Sequence, residues 1–228
     1  MTLEWAMALA ALAVALLFRP WQTLRHQGLQ NPWLTAMLIL PWVWWTKNLL
    51  PTNLPLHISG ACLLVLMFGW PLAIVSLLPI VLGAALIDVL GRVHGQSLDW
   101  SHAWDLLSGQ VDAIVAQTVW MGMLPATLSL ALGLSMRRYM PRHLFVFILG
   151  RGFFGTVLAM TLSAVLAALA GRVPAESSTE DWLLAHWLLA WGEAFATGMF
   201  TAIFVAFKPH WLLTYTDERY LPPSAAQK

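Results

Sequence analysis

Long apolar stretches separated by short polar or proline-bearing breaks dominate this chain. Leu3 to Phe18 is apolar apart from Glu4 and stops at Arg19-Pro20. No Lys or Arg precedes that run, so it suits an uncleaved first span better than a signal peptide. Trp33 to Thr46 is a second, short stretch with Pro41 inside it. Trp42, Trp44 and Trp45 crowd its far end in the manner of an interfacial aromatic belt. A third stretch runs from Leu54 to Phe68 and a fourth from Leu72 to Val89. As one helix, residues 54–89 would be about 54 Å long against a hydrocarbon core of about 30 Å. Gly69-Trp70-Pro71 is therefore expected to reverse the chain. Residues 91–110 turn polar and are expected to form a loop carrying His94, Asp99, His102 and Asp105. Three more spans follow, at Ala113 to Met136, His143 to Ala170 and Trp182 to Phe207. Their connections are Arg137-Arg138-Tyr139-Met140-Pro141-Arg142 and the polar loop Gly171 to Asp181.

The pattern predicts an all-α polytopic membrane protein, a compact bundle of about seven transmembrane helices. Residues 1–207 form one membrane domain, and 208–228 form a polar cytoplasmic tail expected to lie on the surface or to be disordered. Orientation follows from the basic residues. With the N-terminus outside, the inner loops and tail hold Arg19, Arg25, Arg137, Arg138, Arg142, Lys208, Arg219 and Lys228. The outer loops hold Lys47, Arg92 and Arg172. That asymmetry obeys the positive-inside rule and places the C-terminus in the cytoplasm of a multi-pass plasma-membrane protein, a bacterial inner membrane being the expected home.

Composition agrees. The chain is 59% hydrophobic and 10% charged, against roughly 25% charged for a soluble domain. A net charge of +1 speaks against a nucleic-acid partner. The single cysteine, Cys62, excludes an intrachain disulfide and a cysteine-cluster metal site. No phosphate-binding G-x-x-x-x-G-K-[ST] loop, H-E-x-x-H pair or G-x-S-x-G elbow occurs, so neither ATP hydrolysis nor a familiar hydrolase chemistry is expected. The chain is read as a non-enzyme with no cofactor of its own; an intramembrane acid or base at His57 or Glu193 would need a nucleophile that the sequence does not offer.

Candidate chemistry concentrates at Leu56-His57-Ile58-Ser59-Gly60-Ala61-Cys62, where a histidine opens a short, glycine-containing apolar segment. Irregular backbone at membrane depth survives only where it lines protein or water, so such a segment is a pointer to a binding site. Residue types alone leave two readings, a ligand histidine or an interfacial loop histidine before a packing helix. Charged groups inside the bilayer are costly and make Arg151 and Glu193, both near mid-span, an expected intramembrane pair. Asp88 falls near the outer surface, and Gln117-Thr118 and His186 suit inter-helix hydrogen bonds. His94, His102 and Asp105 match no established ligand spacing.

His57-Ile58-Ser59-Gly60-Ala61 resembles the His-Pro-Thr-Gly-Thr-like segment of the CbiM/NikM family. Ala116-Gln117-Thr118-Val119-Trp120-Met121-Gly122 with Pro125 resembles that family's Ala-Asn-x-x-x-Met stretch. Gly192-Glu193-Ala194 with Thr197-Gly198 is similar to its Glu-Ala-x-x-Thr-Gly element. These are the membrane substrate-binding components of cobalt and nickel energy-coupling-factor transporters. The resemblance implies an all-helical bundle with a transition-metal ion as substrate, held near the outer face by His57. It also implies the lipid bilayer, a coupling transmembrane subunit and ABC ATPase subunits as partners. The family's N-terminal Met-His pair is absent, because the sequence begins Met1-Thr2-Leu3. Losing those nitrogen donors weakens a tetragonal site, so either His94, His102, Cys62 or Met121 completes a different one or the substrate differs. The alternative is a structural or regulatory membrane subunit that has lost the metal.

Overall fold

The computed structural model describes residues 2–26, 28–46, 57–93 and 100–220. Helices account for nearly all of them, and no strand occurs among the described residues. In chain order they are α1 (Thr2–Leu17), α2 (Trp21–His26), α3 (Gln30–Trp45), α4 (Ala61–Val93), α5 (Trp100–Thr118), α6 (Leu124–Tyr139), α7 (Gly155–Leu169), α8 (Thr179–Phe207) and α9 (Asp217–Tyr220). Two wider π-helical turns, Val119–Met123 and Val146–Phe154, join α5 to α6 and lead into α7. Four helical stretches are long and apolar enough to cross a membrane: Ala61–Arg92, Trp104–Tyr139, Val146–Leu169 and Thr179–Phe207. This is an all-α, multi-pass membrane protein.

The expected break at Gly69-Trp70-Pro71 falls on Gly69, whose φ of 76° and ψ of 161° interrupt α4. A side chain is strained in that conformation, and Pro71 removes a backbone donor just beyond it. The first half of α4, residues 61–68, is then about 12 Å long and does not span a bilayer. It is a half-helix sunk in the bundle, with Leu64, Leu66 and Phe68 almost fully buried.

Small residues set the close approaches, as expected where lipid removes the hydrophobic drive between helices. Gly83 of α4 faces Pro41 of α3, and Gly122 faces Leu77 and Trp44; a Cβ at either glycine would come within about 3 Å of those side chains. Along α7, Gly155, Ala159, Ser163 and Ala167 recur every fourth residue and are buried. Leu158, Leu162 and Leu169 of the same helix point outward, giving the small-inside, large-outside division of a lipid-exposed helix.

Polar contacts fix which ends lie together. Glu4 of α1 pairs with Arg172 at 2.6 Å, and Trp5 Nε1 donates to Asp112 at 2.9 Å. The first helix thus starts at the end where the α7–α8 connection emerges. Arg137, Arg142 and Arg151 line one small cleft together with Tyr220, so the α6–α7 connection and the C-terminal segment share the other end. This grouping matches the loops assigned to opposite sides by charge.

Two expectations are corrected. The polar stretch before residue 110 is not all loop: α5 begins at Trp100, and Asp105, Ser108 and Gly109 lie on its exposed turns. Nor is the segment after Phe207 a loose surface tail. Leu213 donates its backbone N–H to Met67 O at 2.9 Å, and the Thr214 hydroxyl donates to Leu66 O at 2.9 Å. Tyr215 and Tyr220 stack on each other and against Phe147. Apolar and aromatic side chains among the polar ones carry this segment back into the bundle as far as Tyr220, the last described residue.

Candidate functional site

A helix begins with backbone N–H groups that have no partner within the helix, and in a membrane interior each must find one. At the start of the α4 half-helix that partner is Glu193 of α8. Its two carboxylate oxygens accept the N–H of Ser59 at 2.6 Å and of Gly60 at 2.7 Å. The Ser59 hydroxyl accepts the N–H of Ala61 at 3.0 Å. Glu193 is fully buried. Two charge-assisted bonds and the positive end of the helix supply what a counter-ion otherwise would.

The same anchorage holds His57. Gly60, with φ of 68°, turns the chain into the helix, and a Cβ there would sit 2.8 Å from Leu40. The Trp44 indole N–H donates to Ser59 O at 2.8 Å, and the Trp44 ring meets the imidazole of His57 edge-on, centroids 4.8 Å apart. On the α5 side, the Gln117 amide nitrogen lies 3.4 Å from His57 Nε2, a long contact by hydrogen-bond standards. His57 is only 3% exposed, so its ring lies within the bundle. Trp44, read from sequence as part of an interfacial belt, is a wall of this site at 1% exposure; Trp42 is the one that faces out.

Beside Gln117 and Trp44 opens a cleft of about 70 Å³ lined also by Asp88, Arg92, Gln110 and Ile114. Asp88 pairs with Arg92 at 2.7 Å one turn further along α4. Two of the cleft's lining residues, Trp44 and Gln117, also touch His57. Directly after Gln117, the π-helical turn Val119–Met123 widens the helix, and such turns recur at functional sites.

The other predicted residues lie elsewhere. Cys62 is buried, and its Sγ points toward Pro125 O at 3.9 Å. Met121 packs with Met160 and Ala190. His94 lies outside the described residues; His102 falls in α5, where only the backbone is described. Among the described residues no group of three or more His, Cys, Asp or Glu gathers as a metal site. His186 turns Nδ1 to Trp182 O at 2.9 Å within its own helix and lies over the Trp182 ring. The expected pair of Arg151 with Glu193 does not form. Glu193 engages Ser59 and Gly60, while Arg151 sits over the Phe147 ring, 5.3 Å from its centroid, against Gly133. Backbone N–H groups carry no residue signature, which is why spacing favoured the arginine.

Residues 106–211 match the family described as the cobalt uptake substrate-specific transmembrane region, CbiM. No curated protein and no solved structure is matched. The matched stretch contains Gln117 and Glu193, the two residues that reach out of it to hold His57 and the turn that follows. Over residues 106–211, somewhat under half of its length, the chain is similar to the CbiM family of membrane components.

Proposed function

We propose that this protein is the substrate-binding membrane component of a cobalt uptake system, with His57 gripping the ion. The family match over residues 106–211 carries this reading. The locked turn at Ser59-Gly60 and the amide of Gln117 beside the imidazole support it. With the amide N–H donated to Nε2, the imidazole proton would sit on Nδ1 and the Nε2 lone pair would be the one offered to a metal. An arriving cation replaces that weak contact, and the amide turns its oxygen inward as a second donor. One imidazole and one amide leave the remaining coordination to water, which fits an ion taken up and released better than one held permanently. Nickel is the second candidate cargo. Energy would come from ABC ATPases through a separate coupling membrane subunit of the energy-coupling-factor type, in a bacterial inner membrane. The role is transport, without chemistry on the cargo.

The test is elemental analysis of protein extracted in mild detergent from cells supplied with cobalt. Stoichiometric cobalt is expected in the wild type, and His57→Ala should lower cobalt affinity at least about tenfold, the loss of one good ligand. Equal cobalt in both would remove His57 from the site. The absence of a three-donor cluster among the described residues favours one second reading, a scaffold subunit without metal. It predicts no cobalt in the wild type either.

A further inference from the structure

At the end of the bundle opposite Glu4, a small cleft is lined by Met136, Arg137, Met140, Arg142, Arg151 and Tyr220. Three of these are arginines, and no ion pair with a carboxylate is formed by any of them among the described residues. Arg151 is the most buried. Its Nε is sealed from solvent without a hydrogen-bond partner, and its guanidinium rests on the Phe147 ring. Gathering like charges around a half-satisfied guanidinium costs free energy unless an anion joins them. The fold makes room for this arrangement. Gly133 of α6 faces the guanidinium so closely that a Cβ there would lie 2.9 Å from both Nε and Nη2. The π-helical turn Val146–Phe154 carries Arg151 into that gap.

From this cleft we infer a binding site for the phosphate of an anionic membrane lipid. Arginine forks match phosphate oxygens in geometry and charge. The cleft is shallow, so a headgroup phosphate would rest at its mouth on the arginine side chains, with its acyl chains left outside. Its surroundings fit a lipid rather than a free ion. Tyr139, Met140 and Phe145 are exposed large apolar side chains beside the arginines, the mixture found where headgroups meet acyl chains. Charge patterning places this end at the cytoplasmic leaflet, where anionic lipids draw basic clusters. The bound phosphate would tie the α6–α7 connection to the C-terminal segment through Arg142, Arg151 and Tyr220.

The experiment compares purified full-length protein in discs of neutral phosphatidylcholine with discs containing phosphatidylglycerol, counting retained lipids by native mass spectrometry. Retention of phosphatidylglycerol over phosphatidylcholine is expected. Arg151→Gln and Arg142→Gln should each weaken it roughly five- to tenfold, and Arg138→Gln, which lies outside the cleft lining, should not. Arg142 lies in the connecting loop, so its variant reports on the site even where Arg151→Gln fails to fold. A second arm adds inorganic phosphate to the protein in neutral detergent. Thermal protection by phosphate equal to that by phosphatidylglycerol would show a free-anion site and overturn the lipid assignment. Retention of phosphatidylglycerol unchanged in both variants would overturn the site itself.

Discussion

Two regions of the bundle treat a buried charge in opposite ways. Around His57, the Glu193 carboxylate is saturated by backbone N–H groups of a helix start and has no cation for a partner. Around Arg151, the charge rests on an aromatic ring among other arginines, with one donor unused. The first arrangement is closed: it fixes a turn and with it one imidazole. The second is open and calls for something from outside the chain. Opposite signs on neighbouring spans therefore do not imply a salt bridge, since a carboxylate also finds its complement in peptide dipoles.

The sharpest way to break this comparison is to empty the closed region. Glu193→Ala leaves the Ser59 and Gly60 N–H groups buried without acceptors and should cost about 3–5 kcal/mol of stability. Heating the protein in detergent and following the reactivity of its one thiol, Cys62, reads that loss directly, because Cys62 lies buried near the capped turn. Glu193→Gln keeps one acceptor oxygen and should lose about half as much. Full retention of stability in the alanine variant would mean the carboxylate is not the anchor.

Gly69→Ala tests the far end of the same half-helix. It imposes a side chain on a φ of 76° and pushes a Cβ to 3.0 Å from Leu213, so about 1–3 kcal/mol should be lost in the same thiol assay. The smallest effect is expected for Trp44→Phe. It keeps the wall beside His57 but removes the donor to Ser59 O, for about 1 kcal/mol. A loss in cobalt binding that exceeds this loss in stability would show that the indole orients the imidazole as well as the turn.

The helices were legible because apolar runs between polar breaks are a direct record of lipid contact, and the length of residues 54–89 forced a break at Gly69. The start of α5 was hidden by Asp105, Ser108 and Gln110, polar residues that a helix tolerates on turns beyond the apolar core. His57 and Gln117 were found through their resemblance to family segments. Their neighbour Trp44 was not, since a tryptophan at a span end reads as an interfacial anchor until the half-helix packs beside it. The role of Glu193 lay beyond the sequence for a simpler reason: its partners are main-chain groups, which every residue but proline owns.

The contact between Leu213, Thr214 and the end of the half-helix has a consequence for how the protein is made. The hydroxyl donor to Leu66 O lies 148 positions downstream of its acceptor. The far end of the half-helix can be clasped in this way only once residues 213 and 214 have been made. Until then the carbonyls of Leu66 and Met67 lack these two partners. A fragment stopped at Phe207 would carry every span into the bilayer and still leave that clasp undone.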